Sequence, residues 1–352
     1  MENNNISLKA VVDKSNNRVV FVESNEKFVD IVFSFLTMPM GSVVRLTRNR
    51  PPAASIGCMN NLYNSVEILD KRYLRTEACK TMLLYPRNGA GNECKNLKLV
   101  INDGVQMRYF VCETDDCANS NYKLLSHYRN AICRCGNRMN WGREVKEREP
   151  TRVVFDDQDE GVFVKGPIQL TISYELQVMP SSTPDLDATQ HLRSKETTAM
   201  LVSPKLAPGF SYEGQPLNIE EYMHQPYYYV ITQGSGHFVT SDEMLIHSGE
   251  AISSSVLTVI DPKSPCYDNL STGRGFLKGP AMFTITDDLT ITPLSSVTGL
   301  SAIRKLKVPF SDLEEHIVYV GKEEASRLLV ASFVSETALT NTFLLKESEQ
   351  GS

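Results

Sequence analysis

The chain has 352 residues, of which 41% are hydrophobic and 22% charged, a composition typical of a globular protein that buries a core. No apolar run approaches the ~20 residues of a membrane span, and the first residues lack the basic and apolar regions of a secretory signal. We therefore expect a cytoplasmic or nuclear protein with no membrane association. In such a reducing compartment stable disulfides are rare.

Charge is divided unevenly along the chain. Residues 1–155 carry 23 Lys and Arg against 16 Asp and Glu, a net of +7, whereas residues 156–352 carry 13 against 26, a net of −13. A basic first half could bind an anionic partner such as nucleic acid. Its basic residues do not form one dense patch, so docking of the two halves, or charge spread over a solvated surface, is the simpler interpretation.

The first predicted elements are two strands followed by a helix. Residues 7–13 alternate in polarity, two Asn mark a turn, and residues 19–23 form a short run rich in β-branched side chains. A helix is then predicted from Ser24 or Asn25 to the stop signal at Pro39 and Gly41. The apolar face of this helix is predicted to contain Phe28, Ile31, Val32, Phe35 and Leu36.

A second helix is predicted within residues 59–74, where Leu62, Tyr63, Val66 and Leu69 align on one face. Further along, the chain repeats itself. Residues 163–180 match residues 276–293 without gaps, with eight of eighteen positions identical, and both stretches are predicted to be strand–turn–strand units.

Two weaker correspondences support a duplication. Residues 8–46 run in register with residues 306–344, with nine identities in 39 positions. A faint match aligns residues 108–112 with 227–231. We therefore predict an α+β fold made of two divergent copies of a mixed sheet-plus-helix module.

The predicted modules span residues 1–204 and 205–352, and they are not equivalent. The end of the first, over residues 183–204, is polar and weakly patterned, and is predicted to be a loop or an eroded element. The second module lacks a counterpart to the cysteine cluster of the first.

Four of the eight cysteines, Cys112, Cys117, Cys133 and Cys135, are spaced C-x4-C and C-x-C with fifteen residues between the pairs. Zinc prefers four soft ligands in a tetrahedron, and cysteine pairs on two tight turns supply them. Gly136 follows the second pair, where a small residue lets backbone N–H groups point at the sulfurs. We predict a zinc-ribbon-like loop over 111–139 whose zinc is structural, because four cysteines close the coordination shell.

Other interpretations of the cluster stay open. His127 lies between the two pairs and could replace one cysteine as a ligand. Buried free thiols, or redox and disulfide chemistry, are further alternatives, and the absence of an export signal disfavours disulfides. The remaining cysteines, Cys58, Cys79, Cys94 and Cys266, lie in apolar or mixed contexts and are predicted to be packing residues.

No motif predicts a reaction, so we assign no catalytic residue. The Gly-rich stretches 87–92 and 233–238 match neither a phosphate loop nor a dinucleotide fingerprint, and no nucleophile elbow or H-E-x-x-H is present. His237 with Ser241 and Asp242 is better explained as a turn than as a catalytic group.

Two basic stretches flank the cysteine region, at residues 45–52 and 140–152, and could contact phosphates. Trp141, the only tryptophan, is too little for a base-stacking platform, so solvated loops are the simpler interpretation.

Several stretches follow one another in an order that resembles the plant domain-of-unknown-function 674 family. They include "SIGCMNNLYNSVEIL", "EACKTMLLYPRN", "CKNLKLVINDG", the cysteine cluster with its trailing Cys-Gly, "DDLTITPLSSVTGL" and residues 306–344. The resemblance covers nearly the whole chain. It implies a protein without an established activity, and it implies that Cys112, Cys117, Cys133 and Cys135 are a shared feature.

The chain departs from that family's pattern in two places. Typical members are longer, and their first half ends in a strand–helix unit like the one at 306–344, which is missing here around 183–204. The first cysteine pair is also wider than in many relatives.

Together these features favour a binding or scaffold protein with a structural zinc site over an enzyme. A protein partner is favoured over nucleic acid. Two alternatives remain: an enzyme of unrecognised type with a pocket between the two modules, and a nucleic-acid-binding protein that uses the basic first half.

Overall fold

The structure is a computed structural model of the chain. It describes residues 6, 8–48, 56–94, 97, 109–114, 117, 124–143, 162–164, 169–173, 175–180, 192–193, 195–207, 210, 217, 219–221, 227–232, 235–240, 253–263, 275–277, 281–295, 301, 304 and 309–344.

Helices and strands are mixed throughout the described residues, as the predicted α+β class requires. In chain order the elements are β1 (Lys9–Asp13), β2 (Arg18–Asn25), α1 (Glu26–Ser34), α2 (Met40–Arg48), α3 (Met59–Ile68), α4 (Glu77–Leu84), α5 (Gly91–Cys94), β3 (Tyr109–Val111), β4 (Leu124–Leu125), β5 (Ala131–Ile132), β6 (Arg138–Met139), β7 (Trp141–Arg143), β8 (Gln169–Ser173), β9 (Val178–Pro180), α6 (Lys195–Val202), β10 (Tyr227–Thr232), β11 (Ser235–Thr240), β12 (Ser253–Val259), β13 (Phe283–Ile285), β14 (Ile291–Pro293), α7 (Lys322–Val334) and α8 (Ala338–Phe343).

In the described ranges, no single helix has the length and apolar character to cross a bilayer. Only the helical stretches Glu26–Thr37 and Met40–Arg48, taken together as a broken pair, reach that threshold by length and composition.

The chain forms two compact units, each assembled from three separate stretches. Unit 1 contains Met1–Pro39, Arg87–Val105 and Lys146–Ala207. Unit 2 contains Met40–Pro86, Gln106–Val145 and Pro208–Ser352. The predicted division at 204/205 concerns the duplicated sequence and stays a prediction, whereas the compact units interleave along the chain.

Unit 1 is built on an antiparallel sheet of order β1-β2-β8-β9. Its core is the apolar side of this sheet packed against α1 and α6, because the side chains that alternate inward from β8 are both apolar. The buried members of this core are Val29, Leu97, Phe163, Val164, Leu170, Ile172, Leu192 and Leu201.

Unit 2 contains a sheet of order β11-β10-β12-β4, in which β12 and β4 run parallel, and three small antiparallel pairs, β3-β7, β5-β6 and β13-β14. Helix α4 packs its small and flexible apolar side chains against the β5-β6 hairpin. This cluster contains Ala78, Met82, Cys112, Tyr128, Ala131, Cys133, Met139 and Ile260. The cysteine pairs therefore lie at the edge of a core.

The first predicted helix ends earlier than its apolar pattern indicates. Helix α1 stops at Ser34 and continues as a 3-10 turn, so that Phe35 and Leu36 are exposed and the predicted apolar face is wrong at both positions. Asp30 takes a buried place on that helix instead. The predicted second helix is confirmed by α3, in which Tyr63 is buried.

The repeated strand–turn–strand unit is confirmed in detail. Each hairpin, β8-β9 and β13-β14, is joined by three residue pairs at aligned positions, in the same register. The aligned turn residues Leu176 and Leu289 adopt φ values of +61° and +58°. A left-handed conformation costs a leucine about 1 kcal/mol, so its occurrence in both copies shows that one turn geometry is retained in the two copies.

The weaker correspondences also have structural counterparts. Helices α1 and α7 overlap when residues 8–46 are aligned with 306–344, and α2 and α8 begin at aligned positions, Met40 and Ala338. The residues aligned with β2 do not form a strand in the second copy. The third, faint match joins β3 to β10, and both are strands.

The stretch predicted to be a loop or eroded element contains helix α6, so that prediction is wrong. Residues 192–202 align without gaps with residues 74–84, sharing a Leu-Arg pair and a Met-Leu pair, and α4 and α6 have the same aligned bounds. The polar stretch "RSKETTAM" hides this helix, because the apolar side chains of α6 that contact the unit 1 core, Met200 and Leu201, lie at its C-terminal end.

The two Leu-Arg pairs make the same contact in the two units. The Arg75 N–H donates to the Phe276 carbonyl at 3.0 Å, and the Arg193 N–H donates to the Phe163 carbonyl at 2.9 Å. If residues 192–202 are counted with the second copy, as their alignment with 74–84 indicates, each bond joins the Leu-Arg pair of one copy to the hairpin of the other. The copies therefore exchange elements, which explains why neither unit is a continuous half of the chain.

Asp30 holds the segment that precedes β8. Its carboxylate accepts hydrogen bonds from the backbone N–H groups of Val162, Phe163 and Val164, the last two at 2.9 Å, and its side chain is 2% exposed. We expect Asp30→Ala to lower the free energy of unfolding by on the order of 3 kcal/mol, because three buried donors lose their acceptor. Asp30→Asn keeps one acceptor oxygen, so its free energy of unfolding, measured by urea denaturation, should fall by less than half as much.

The same residue predicts a pH dependence. Burial raises the pKa of Asp30 to about 6 from 3.8, against the opposing effect of the three backbone donors. The part of the stability that arises from this pKa shift is therefore complete below pH 3.8 and is lost as the pH rises through about 6, whereas the hydrogen bonds tested by Asp30→Ala remain. Relative to Asp30→Asn, the free energy of unfolding of the wild type should fall by about 2 kcal/mol between pH 4 and 7. A constant difference between the two proteins over this range would contradict the prediction.

Candidate metal centre

Two separate pieces of backbone bring the four cysteines together. Cys112 directly follows β3, and Cys117 follows a turn in which its N–H donates to the Thr114 carbonyl at 3.1 Å. Cys133 and Cys135 lie in the turn of the β5-β6 hairpin, which is closed by the Cys133 N–H donating to the Asn137 carbonyl at 2.9 Å. The fifteen residues between the cysteine pairs thus allow the chain to double back.

The four sulfur atoms form one compact group. The Cys112 and Cys135 Sγ atoms are 3.4 Å apart, and those of Cys117 and Cys133 are 3.3 Å apart. All four lie within 4.8 Å of one another. A regular tetrahedron of sulfurs at about 2.3 Å from a zinc ion has edges of about 3.8 Å, which falls inside this range.

Backbone N–H groups point at the sulfurs from two positions further along the chain. The Thr114 N–H donates to Cys112 Sγ at 3.5 Å. The Cys135 N–H donates to Cys133 Sγ, and the Asn137 N–H donates to Cys135 Sγ. Such donors stabilise the negative charge of a thiolate. The turns are therefore arranged for deprotonated sulfur, which is the form that binds a metal.

The sulfurs differ in their surroundings. Burial raises the pKa of Cys133, which is fully buried, and also that of Cys117. At Cys135 burial has the same direction, but hydrogen bonds from the Asn137 N–H and the other thiols outweigh it and lower the pKa to about 7. Cys135 is exposed, so the group has one side open to solvent and one side against the core.

A polar contact ties the two turns together. Asn137 Nδ2 donates to Thr114 Oγ1 at 2.8 Å and lies 3.5 Å from Cys135 Sγ. The Glu113 N–H donates to the Arg138 carbonyl at 3.1 Å beside it. Thr114 and Asn137 are not among the site residues predicted from the sequence. Their positions, two residues after Cys112 and Cys135, are the only signal that could have identified them.

The other candidates lie elsewhere. The ring of His127 packs against the ring of Tyr109 with centroids 5.2 Å apart, and His127 is not a member of the sulfur group. Cys58 and Cys79 are buried in other apolar clusters, and Cys94 packs against the unit 1 core, as predicted for packing residues. Cys266 lies outside the described residues, as do Ser241 and Asp242.

A comparison with protein families matches nearly the whole chain. The family described as "Protein of unknown function (DUF674)" matches residues 2–188 and again residues 185–323. The chain belongs to this family. Two successive matches also confirm the duplication, and the cysteine group lies within the first DUF674 match. Neither the curated proteins nor the solved structures contain a match.

Gly136 shapes the turn that carries Cys133 and Cys135. Its φ of +87° lies in the region that favours glycine, and its N–H donates to the Cys133 carbonyl at 2.9 Å. Gly136→Ala should lower the free energy of unfolding by about 1 kcal/mol through backbone strain. Gly91→Ala is the control, since an added Cβ there meets only the Asn88 Cβ at 4.0 Å. Equal stability of the two variants in chemical denaturation would contradict the assignment.

Proposed function

We propose that Cys112, Cys117, Cys133 and Cys135 bind one structural zinc ion in a zinc-ribbon-like loop, in a protein whose role is binding or scaffolding. The observation that carries the proposal is the gathering of four sulfurs from two turns within 4.8 Å. An all-thiolate tetrahedral set suits zinc, because zinc accepts soft ligands and has no geometric preference of its own.

The proposed ion would cross-link two short pieces of backbone. Strand β3 and hairpin β5-β6 are short, so their hydrogen bonds alone give little cooperative stability. A metal bound only in the folded state adds its binding free energy to folding. Four cysteine ligands leave no coordination position for a substrate water, which favours a structural role over a catalytic one.

A protein partner is favoured over nucleic acid by the state of the basic side chains. In the predicted basic stretch at 45–52, Arg45 is buried and its guanidinium lies over the Tyr85 ring at 4.7 Å. Arg48 forms a salt bridge with Glu67 at 3.2 Å. Arginines engaged within the fold are less available to phosphates.

Metal content tests the zinc proposal. Purified wild-type protein should contain about one zinc per chain by mass spectrometry, and Cys133→Ser should lose it. Cys94→Ser is the matched control, because Cys94 is partly buried in unit 1 and outside the sulfur group. Chelation should destabilise the wild type and Cys94→Ser by ~4 kcal/mol where zinc exceeds its Kd a thousandfold, and should leave Cys133→Ser unchanged.

A cobalt-loaded sample gives a second readout, since tetrahedral thiolate ligation produces a charge-transfer spectrum that Cys133→Ser should lack. Metal-free wild-type protein with four titrating thiols in this loop would overturn the zinc proposal. A disulfide between these cysteines in the cell-extracted protein would support redox chemistry instead.

The partner class is tested by salt dependence. By fluorescence anisotropy, we expect the chain to show no binding to short DNA or RNA at physiological ionic strength. Any weak binding to these nucleic acids at low salt should be unchanged in Arg138→Ala, which removes an exposed arginine near the sulfur group. Tight binding that weakens steeply as salt increases would contradict the protein-partner proposal and favour nucleic acid.

A further inference from the structure

An exposed apolar segment precedes helix α7. In Ile317–Val320 every side chain is exposed, with Ile317 and Tyr319 exposed by 85% and 81%. Within the part of unit 2 that the structure describes, residues 313–321 pair with no strand. Four consecutive apolar residues with unpaired backbone form a ready template for another strand.

The first copy shows how this segment pairs. In the alignment of 8–46 with 306–344, Ile317–Val320 correspond to residues 19–22 of β2. Strand β2 pairs antiparallel with β8, with Val22 opposite Ile172. The counterparts of these two residues are Val320 and Ile285, which lies on β13.

The strand that corresponds to β8, the pairing partner of β2, is β13, and it lies in the same unit as the exposed segment. Among the described residues, β13 pairs with β14 alone, whereas its counterpart β8 lies between β9 and β2. Ile285 and Met282 are exposed beside this edge. The chain thus carries both halves of a strand pair that is formed in unit 1, and in the described residues of unit 2 neither half pairs with another strand beyond the β13-β14 hairpin.

The helix behind the segment is held differently in the two copies. Asp30 anchors α1 to residues 162–164, but Leu328 stands at the aligned position of α7 and cannot accept these hydrogen bonds. Helix α7 is held near its C-terminal end instead, where the Cys58 N–H donates to the Ser332 carbonyl at 2.8 Å. Its first residues are exposed. Residues 317–321, which we call the arm, are therefore exposed, whereas the helix that follows them is held near its C-terminal end.

We propose that this arm, residues 317–321, pairs with the β13 edge of a second protein chain of the same sequence. The two chains of the resulting dimer exchange their arms reciprocally. The register follows from unit 1: Tyr319 opposite Thr286, Val320 opposite Ile285 and Gly321 opposite Thr284. Reciprocal exchange gives a closed two-fold dimer that covers both exposed edges. This inference names a partner for the proposed binding role and does not depend on the zinc site.

The oligomeric state of the full chain is the first test. Light scattering after size-exclusion chromatography should show a dimer whose dissociation constant rises at least tenfold in Val320→Pro, because proline removes a backbone donor from the pair. Glu315→Pro is the control, since Glu315 is exposed and lies outside the register. A monomeric wild type, or equal weakening by both prolines, would overturn the inference.

Mixing two single variants shows which edge the arm occupies. Val320→Cys chains mixed with Ile285→Cys chains should form a crosslink under mild oxidation, identified by mass spectrometry of the linked peptides. A crosslink found only when one chain carries both substitutions would place the arm on its own β13 and overturn the exchange. If the chain is a monomer and still fails to bind nucleic acid, this inference fails while the protein-partner proposal stands.

Discussion

The fold depends on one backbone contact made twice, in which a Leu-Arg pair from one sequence copy joins the hairpin of the other. The bond from Arg75 to Phe276 lies within unit 2, and the bond from Arg193 to Phe163 lies within unit 1.

 The sequence separations of the two bonds are unequal: the first joins residues 201 positions apart and the second joins residues 30 positions apart. The helix and the hairpin nevertheless meet in the same way, because the geometry is set by the aligned residues and not by the length of chain between them. Each compact unit is therefore built from elements of both sequence copies.

The parts of the fold that follow from local pattern could be predicted from the sequence. The hairpins repeat a Lys-Gly-Pro start and a Pro end, and these fix their strands and turns. Helix α3 has a regular apolar face, of which Tyr63 is buried while Leu62 and Val66 are half-buried and pack against apolar clusters. The four cysteines could be predicted to lie close together, because half of the chain's cysteines fall within 24 residues of sequence.

The parts that depend on partners distant in sequence could not be predicted. Asp30 interrupts an apolar face, and a carboxylate is normally expected at the surface. Three N–H groups from residues 162–164 make its burial favourable by donating hydrogen bonds to it. Helix α6 has a polar sequence and is recognised only by its alignment with α4. The exchange between copies leaves no local signal, since each Leu-Arg pair looks alike whichever hairpin it joins.

The two sequence copies have also diverged in their structural features. The first copy holds the sulfur group, and its hairpin pairs with strand β2 of the same chain. The second copy keeps the hairpin geometry, down to the left-handed Leu289, but has Leu328 where the first has Asp30. A leucine side chain cannot accept the backbone hydrogen bonds that hold α1, so α7 lacks this anchor and depends on contacts near its C-terminal end. The proposed pairing of the segment before α7 with another chain rests on this difference between the two sequence copies.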